Sequence, residues 1–252
     1  MTGETAKGKS SSSESRPPNS RVQSSVGERR QLTVMFIDLV GSTALSARLD
    51  PEDYQAVVQT YQRTCAEIIA RFDGSIAQYL GDGVLAYFGY PTAHEDDAQR
   101  AVRVGLEIIT SIQEKLPSPS ARENQEEGAL ETTHQLQVRI GIHTGPVVVG
   151  ELGGGMKREQ LALGEAPNIA ARIQGIAEPN TVAVSGATYR LVSSFFACQD
   201  LGVQSVKGIV TPIAVYRVLA ESITQHRLDA VPLTGLTPLV GREEELALLQ
   251  RR

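Results

Sequence analysis

The sequence predicts an α+β fold with a ferredoxin-like βαββαβ core, followed by extra strands and helices. Three patterns support this prediction. Residues 32–38 form a short apolar run that ends in an acid, as expected of a buried strand. Residues 51–72 repeat apolar side chains at steps of three and four, with a proline near the start and a glycine past the end, which indicates a core-facing helix. Residues 75–90 read as two strands closed by a tight turn at Asp82 and Gly83.

The second half of the chain continues this alternation. A helix over about residues 95–116 begins with acids, which suit its N-terminal dipole. The polar stretch 117–134 contains two prolines and hardly any apolar residues, so we expect a surface insertion there. The order strand, helix, two strands, helix, strand is the ferredoxin-like pattern. The remaining predicted elements are a strand pair over 136–145 and 146–152, a helix over 164–177, and strands over 181–186, 195–201 and 213–219.

Composition divides the chain into three regions. Residues 1–28 are rich in Ser, Pro, Gly and charge without apolar periodicity, so they cannot offset the entropy of ordering and are predicted to be disordered. Residues 29–220 form the predicted domain. Residues 221–252 are interpreted as a linker and the start of a following domain, because TPLVGREEELALLQRR resembles a segment that leads into an ATPase domain. The sequence has no G-x-x-x-x-G-K-[ST] motif, so a regulatory ATPase region is expected only outside this chain.

Composition also argues against several classes of function. The chain has 252 residues, of which 41% are hydrophobic and 21% charged, as in ordinary soluble globular proteins. The formal net charge is −5 with scattered Lys and Arg, so we expect no nucleic-acid partner. No stretch approaches the roughly 18 apolar residues of a membrane span, which predicts a cytoplasmic protein with no membrane partner. Cys65 and Cys198 lack metal-ligand spacing and are interpreted as buried free thiols.

Two acids are the first candidates for chemistry. Asp38 closes an apolar strand and Asp82 lies at a hairpin tip, and these elements are neighbours in a ferredoxin-like sheet. Mg²⁺ or Mn²⁺ needs a few oxygen ligands and keeps the rest of its shell for substrate phosphates, so two acids suffice for a nucleotide-dependent pair of metals. Either acid alone would be read as a turn or strand-end residue. Their pairing favours a metal site.

A glycine and two hydroxyl residues follow the first of these acids. Gly41, Ser42 and Thr43 begin a predicted helix, where unpaired backbone N–H groups and the helix dipole form an anion site. A triphosphate could bind there. The alternative is simple N-capping by Ser42 or Thr43.

A polar pair occurs in the segment PNIAAR. Asn168 and Arg172 are four residues apart and therefore on one face of a predicted helix, while Ala170 and Ala171 allow close packing. An amide could orient a ribose, and a guanidinium could neutralise charge that develops on a phosphate in transfer. The alternative is a solvated helix face.

Four sequence signatures follow one another along residues 29–219: FIDLVGST, YLGDGVLAYFG, VRIGIHTGPVVVGELG and ALGEAPNIAARI. In this order they resemble the signatures of class III adenylate and guanylate cyclase catalytic domains. The resemblance implies two Mg²⁺ or Mn²⁺ ions per active site, bound by Asp38, Asp82 and the backbone carbonyl of Leu39. It also implies a transition-state role for Asn168 and Arg172.

The resemblance has two further implications. The family works as a head-to-tail dimer, so a homodimer with two shared sites is expected, with the metal aspartates from one subunit and Asn168 and Arg172 from the other. Lys207, in VKG, resembles a family lysine that contacts the triphosphate.

Two positions depart from the family pattern. Gln78 stands four residues before the second metal aspartate, where the family has a base-reading lysine, or glutamate in many guanylate cyclases. Leu161 stands where its partner is often Asp or Thr, and leucine cannot accept a hydrogen bond from adenine. Gln160 could do so only if a bulge reversed the strand alternation. Gln78 can donate to adenine N1 or accept from guanine N1–H, so the two bases are weakly discriminated.

These features together predict an adenylate cyclase, a phosphorus–oxygen lyase that converts ATP to cyclic AMP and pyrophosphate in intracellular signalling. The alternatives are a cyclase with GTP or relaxed base preference, and a catalytically weak or inactive nucleotide-binding regulatory domain. A diguanylate cyclase is disfavoured, because a G-G-[DE]-E-F signature is absent. His94 is interpreted as helping to cap a helix and His143 as a packed, hydrogen-bonded histidine.

Overall fold

The computed structural model describes residues 28–115, 135–152, 159–205 and 212–222. The predicted tail up to residue 27, the predicted insertion over 117–134 and the segment after residue 222 lie outside the described residues, as does Lys207. The predicted three-region division of the chain therefore stays a prediction.

Strands and helices alternate along the described chain. Glu28 already belongs to the first strand, and the helix predicted from residue 51 begins at that residue, with Pro51 in its first turn. The bounds are β1 (Glu28–Leu39), α1 (Ser42–Ser46), α2 (Pro51–Arg71), β2 (Ser75–Leu80), β3 (Gly83–Phe88), α3 (Asp97–Lys115), β4 (Val138–Leu152), β5 (Glu159–Leu163), α4 (Glu165–Ile176), β6 (Thr181–Ser185), α5 (Gly186–Val192), β7 (Phe196–Gln204) and β8 (Ile213–Glu221).

The described strands form one mixed sheet in the order β2-β3-β1-β4-β6-β8-β7, with β5 paired to β4. The first four strands in this order pair antiparallel, which is the ferredoxin-like arrangement. β6 joins β4 in parallel, as the crossover through α4 requires. β8 and β7 then extend the sheet antiparallel. The predicted fold class, a ferredoxin-like core with extra C-terminal elements, is confirmed.

One face of the sheet packs against α2, α3 and α5. Met35 and Ile37 of β1 and Ile140 of β4 are fully buried there, together with Tyr61 and Cys65 of α2. Each aliphatic side chain of this kind contributes about 1.5–3 kcal/mol when it leaves water. None of the helices in the described part of the chain is both long and apolar enough to cross a membrane.

The opposite face of the sheet carries α4. Ala166 and Ala170 of this helix pack against Val34 of β1. The helix backbone lies directly on Gly141 of β4, where an added Cβ would come within 2.2 Å of the backbone nitrogen of Gln174. Because side chains alternate along β1, Asp38 lies on the face that α4 covers.

The turn between β2 and β3 is centred one residue earlier than predicted. Leu80 pairs with Gly83, so the turn residues are Gly81 and Asp82. Gly81 has φ 65°, which glycine adopts without the steric cost that other residues have. Asp82 lies at the hairpin tip, as predicted.

The predicted strand pair over residues 136–152 is wrong, because β4 runs unbroken through Gly145 and Pro146. Both residues pair in register with β1. On its other side, β4 pairs with β6 only up to Ile142 and with β5 only from Val148. Pro146 thus falls where β4 has one neighbouring strand, a position at which a strand tolerates proline.

Candidate active site

Two carboxylates meet at one end of the β1–β3 pair. β1 pairs with β3 up to Ile37 and Val84, so Asp38 comes next to the hairpin tip that carries Asp82. The tip is fixed from α2, because Gln62 Nε2 donates to the carbonyl oxygen of Gly81 at 2.8 Å. The structure therefore brings together the two acids that the sequence predicts.

The two acids repel each other in a partly dehydrated environment. Burial raises the pKa of Asp38, and the charge of Asp82 raises it further. Hydrogen bonds from the backbone of Leu39 and the side chain of Gln174 oppose this shift. The charges of both acids also add to burial in raising the pKa of Tyr54, so their field extends to α2. A cation would relieve this accumulation of negative charge.

One carboxylate oxygen at this site lacks the hydrogen-bond partner that buried polar atoms normally have. Asp82 Oδ2 is buried and accepts no hydrogen bond from the described residues. Across the described chain, no group of three or more His, Cys, Asp or Glu side chains could hold a metal ion. Two carboxylates alone match the needs of Mg²⁺ or Mn²⁺, which keep coordination positions for water and substrate phosphate. The donor set of Asp38 and Asp82 therefore fits these cations.

Arg139 is a site residue that the sequence analysis missed. It lies directly opposite Asp38 in the β1–β4 register, so both side chains are on the face that carries α4. Its Nε is buried and donates to no group in the described residues. A charged donor left without an acceptor is costly, and a bound anion such as a phosphate would satisfy it. The available signal was an arginine inside the apolar run VRIGI.

Asn168 and Arg172 share one exposed side of α4. The two side chains are exposed, and neither forms a hydrogen bond or ion pair with any described residue. The helix presents to its own sheet a different set of side chains: Ala166, Ile169, Ala170, Ile173 and Gln174. The predicted common face is thus present, and it does not contact the carboxylate pair of its own chain.

The segment after β1 forms a single short helix. Gly41 is the N-cap of α1, and no side chain caps the helix. The alternative interpretation of Ser42 or Thr43 as an N-capping residue is therefore wrong. Leu39 ends β1 with its side chain buried in the core, so only its backbone is available to a ligand.

The candidate base-reading positions lie on two strands that approach each other. Gln78 of β2 is half-buried and follows a bulge at Ala77, and its side chain makes no hydrogen bond to another described residue. The backbone of β5, which contains Leu161, comes close to β2. β5 pairs with β4 without a shift in register. The backbone therefore lacks the bulge that Gln160 would need to take the place of Leu161.

The remaining candidates have structural partners. His143 Nδ1 lies 2.8 Å from Ser185 Oγ, and burial lowers the histidine pKa to about 4, so the prediction of a packed histidine is confirmed. His94 lies just before α3, with its backbone N–H donating to Asp97 at 2.8 Å. Of the two predicted buried thiols, Cys65 is buried, whereas Cys198 is only half-buried.

A ferredoxin-like sheet with a carboxylate pair at one end and an amide and guanidinium on its crossover helix has the design of a nucleotidyl cyclase catalytic domain. The family model described as the adenylate and guanylate cyclase catalytic domain matches residues 25–222. The chain belongs to this family, as the four sequence signatures predict.

Individual relatives include cyclases of both kinds. Adenylate cyclase 1 of Rhizobium meliloti is 30% identical over 76% of this chain. Among solved structures, the guanylate cyclase domain of RhGC from Catenaria anguillulae, in complex with GTP, has a TM-score of 0.68 and 26% identity over 77% of this chain and all of that one. The adenylyl cyclase CyaB from P. aeruginosa has a TM-score of 0.67 and 28% identity over 78% of this chain and 97% of that one. The chain spans only 28% of the length of the Rhizobium relative.

Proposed function

We propose that this domain converts ATP to cyclic AMP and pyrophosphate at two active sites shared across a homodimer. One observation carries the proposal: the partly buried pair Asp38 and Asp82, with an unpartnered carboxylate oxygen, lies opposite Arg139, whose buried Nε has no acceptor among the described residues. A cation ligand set next to a guanidinium that can bind an anion matches a metal-bound triphosphate.

The residues of one subunit would hold the triphosphate. Asp38, Asp82 and the Leu39 carbonyl would bind two Mg²⁺ or Mn²⁺ ions. When bound, these ions supply acidification of the ribose 3′-hydroxyl and neutralise phosphate charge. Arg139 would donate to the phosphates from its position across from Asp38. The backbone N–H groups of residues 41–43 would add donors at the start of α1.

The residues of the other subunit would act on the reacting atoms. The reaction is an attack of the ribose 3′-oxygen on the α-phosphorus, with the bond to pyrophosphate breaking. Asn168 would orient the ribose, and Arg172 would neutralise the charge that develops on the phosphate. Both are exposed and unbonded within the described chain, which leaves them available to a partner. Lys207 would also contact the triphosphate, as the family resemblance implies.

The base is the least constrained part of the substrate. Gln78 can serve adenine or guanine, depending on which end of its amide faces the ring. ATP is favoured because the 30% identical relative is an adenylate cyclase, whereas the structure in complex with GTP is 26% identical. The proposal is therefore ATP turnover with measurable activity on GTP.

The proposal is tested with purified protein, Mn²⁺ or Mg²⁺, and either ATP or GTP, followed by chromatographic detection of cyclic product. We expect cyclic AMP to form faster than cyclic GMP, and Asp38→Ala to form neither. Nucleotide binding without any product would contradict the enzyme proposal and favour the regulatory alternative. Faster formation of cyclic GMP would reassign the substrate.

A further inference from the structure

One side chain of α4 points the opposite way from Asn168 and Arg172. Gln174 is only 8% exposed and lies on the inner side of the helix. Its Nε2 donates to Asp38 Oδ2 at 3.3 Å. The same helix therefore carries an amide that contacts a carboxylate of its own chain and two groups that face away from that chain.

The position of Gln174 is fixed by backbone packing rather than by side-chain choice alone. Gly141 lets α4 lie directly on β4, with an ideal Cβ at that position only 2.2 Å from the Gln174 nitrogen and 2.4 Å from the Ala170 carbonyl oxygen. A helix held this closely to the sheet cannot move without moving the Gln174 amide relative to Asp38.

The contact has a chemical consequence for Asp38. A carboxylate has two oxygens, and a donor on Oδ2 selects one orientation of the group. The amide also favours the ionised form of the acid, against burial and the charge of Asp82. Donors that orient a metal-ligating side chain in this way typically change metal affinity or activity by 10- to 100-fold when removed.

We infer that Gln174 is a positioning residue for the metal-binding carboxylate of its own subunit, so that one helix, α4, carries groups for both active sites of the dimer. This inference rests on the proposed function. The inner side of α4 would set the metal ligand of one site, while its outer side supplies Asn168 and Arg172 to the other.

The first test measures metal binding without turnover. Gln174→Met keeps the approximate length of the side chain and its apolar stem, and removes the amide that donates to Asp38. The protein, saturated with adenosine α,β-methylene triphosphate, which cannot release pyrophosphate, is titrated with Mn²⁺. Free Mn²⁺ is measured by electron paramagnetic resonance, with the nucleotide alone as the blank. We expect Mn²⁺ affinity to fall about 10-fold, the lower end of the range for such donors, because 3.3 Å is a long hydrogen bond. Unchanged affinity would overturn the inference, whether or not the wild-type protein forms product.

The matched control is Gln59→Met, the same substitution at an exposed glutamine of α2. It should bind Mn²⁺ as the wild type does. Equal loss in both variants would contradict a specific role for Gln174.

The second test separates a local from a helix-wide effect. Mixed dimers of one Asp38→Ala chain and one Asn168→Ala chain, isolated with two affinity tags, would contain a single complete site. Gln174→Met is placed in either chain. In the chain that keeps Asp38, it should raise the Mn²⁺ concentration for half-maximal rate about 10-fold. In the chain that keeps Asn168, it should leave that concentration unaltered, because its Gln174 faces the disabled site.

The outcomes separate the positioning role of Gln174 from the proposal of an active site shared between subunits. An equal effect from either chain would show that Gln174 merely supports α4, and would overturn the positioning role. A mixed dimer without any activity, alongside active wild type, would contradict the shared-site proposal while the Mn²⁺ titration still decides the role of Gln174.

Discussion

The carboxylate end of the sheet and the outer side of α4 differ in how the chain holds them. Asp38 lies near the end of β1 and accepts a hydrogen bond from Gln174. Asp82 lies at the hairpin tip, which Gln62 holds through a hydrogen bond to the carbonyl oxygen of Gly81. The side chains of Asn168 and Arg172 are exposed and form no hydrogen bond or ion pair with a described residue. Folding of one chain brings the groups of the first region together, whereas the groups of the second region stay exposed on the surface of α4. Under the proposed function, folding of one chain completes only the carboxylate half of a site.

The largest expected effect comes from removing the exposed guanidinium of Arg172. Arg172→Ala should lower kcat about 10³-fold, as expected for an arginine that stabilises transferring phosphate. The melting temperature should stay unchanged, because the side chain is exposed and forms no hydrogen bond or ion pair with a described residue. Steady-state kinetics and calorimetry measure the two quantities. Arg63→Ala, at an exposed arginine of α2, is the matched control and should keep full activity. A large loss of stability in Arg172→Ala would show that Arg172 supports the fold of its own chain, and would contradict its role at the active site of the partner.

The carboxylate half of the site can be tested at Arg139. Arg139→Met removes the buried Nε that has no acceptor in the described residues, so the folded state should lose no stability. The KM for the triphosphate should rise about 10-fold, the effect of about 1.4 kcal/mol of lost binding. An unchanged KM for ATP together with a lower melting temperature would indicate a structural arginine instead.

The base-reading position should give a smaller effect. Gln78→Lys supplies a fixed donor for adenine N1, and Gln78→Glu supplies a fixed acceptor for guanine N1–H. We expect the ratio of kcat/KM for ATP to that for GTP to rise several-fold in the first variant and fall several-fold in the second, on the order of 1 kcal/mol each. Competition assays with both nucleotides measure the ratio. The same shift in both variants would remove Gln78 from base recognition.

The smallest expected effect concerns how the ionisation of Asp38 changes the stability of the folded chain when no metal is bound. The pKa of Asp38 is raised in the folded state, so its ionisation costs stability as pH rises from the unfolded value near 4 through the folded value. Asp38→Asn should therefore raise the melting temperature in EDTA at pH 7 by about 1–2 °C, a figure reduced for solvent screening of a half-buried group.

The advantage of Asp38→Asn should vanish below about pH 4, where the wild-type acid is also neutral. Asp53→Asn, at an exposed acid in the first turn of α2, is the control. Destabilisation by Asp38→Asn at pH 7 would contradict the electrostatic account.

Much of this contrast could be predicted from sequence where local pattern decides structure. The periodicity of α2, the apolar run of β1 and the four-residue spacing of Asn168 and Arg172 each point directly to the observed element. Gly145 and Pro146 instead suggest a turn, because sequence does not reveal that β4 has only one neighbouring strand at that point. At Gly145 and Pro146, pairing with β1 outweighs the local preference of these residues for a turn.

Long-range contacts account for what the sequence could not reveal at the site. Arg139 becomes a candidate only when the β1–β4 register places it opposite Asp38, 101 positions earlier in the chain. Gln174 becomes one only when α4 packs on Gly141. Both positions depend on strand register and helix docking, which no local spacing encodes.

The most direct test of the shared site is the mixing of two inactive chains. Asp38→Ala and Asn168→Ala are each expected to form no cyclic product as homodimers. Equal mixing after dissociation and reassociation should restore about a quarter of wild-type activity, because about half of the dimers would be mixed and each would have one complete site of two. Activity that stays at the level of the single variants, with mixed dimers shown to form, would contradict the account.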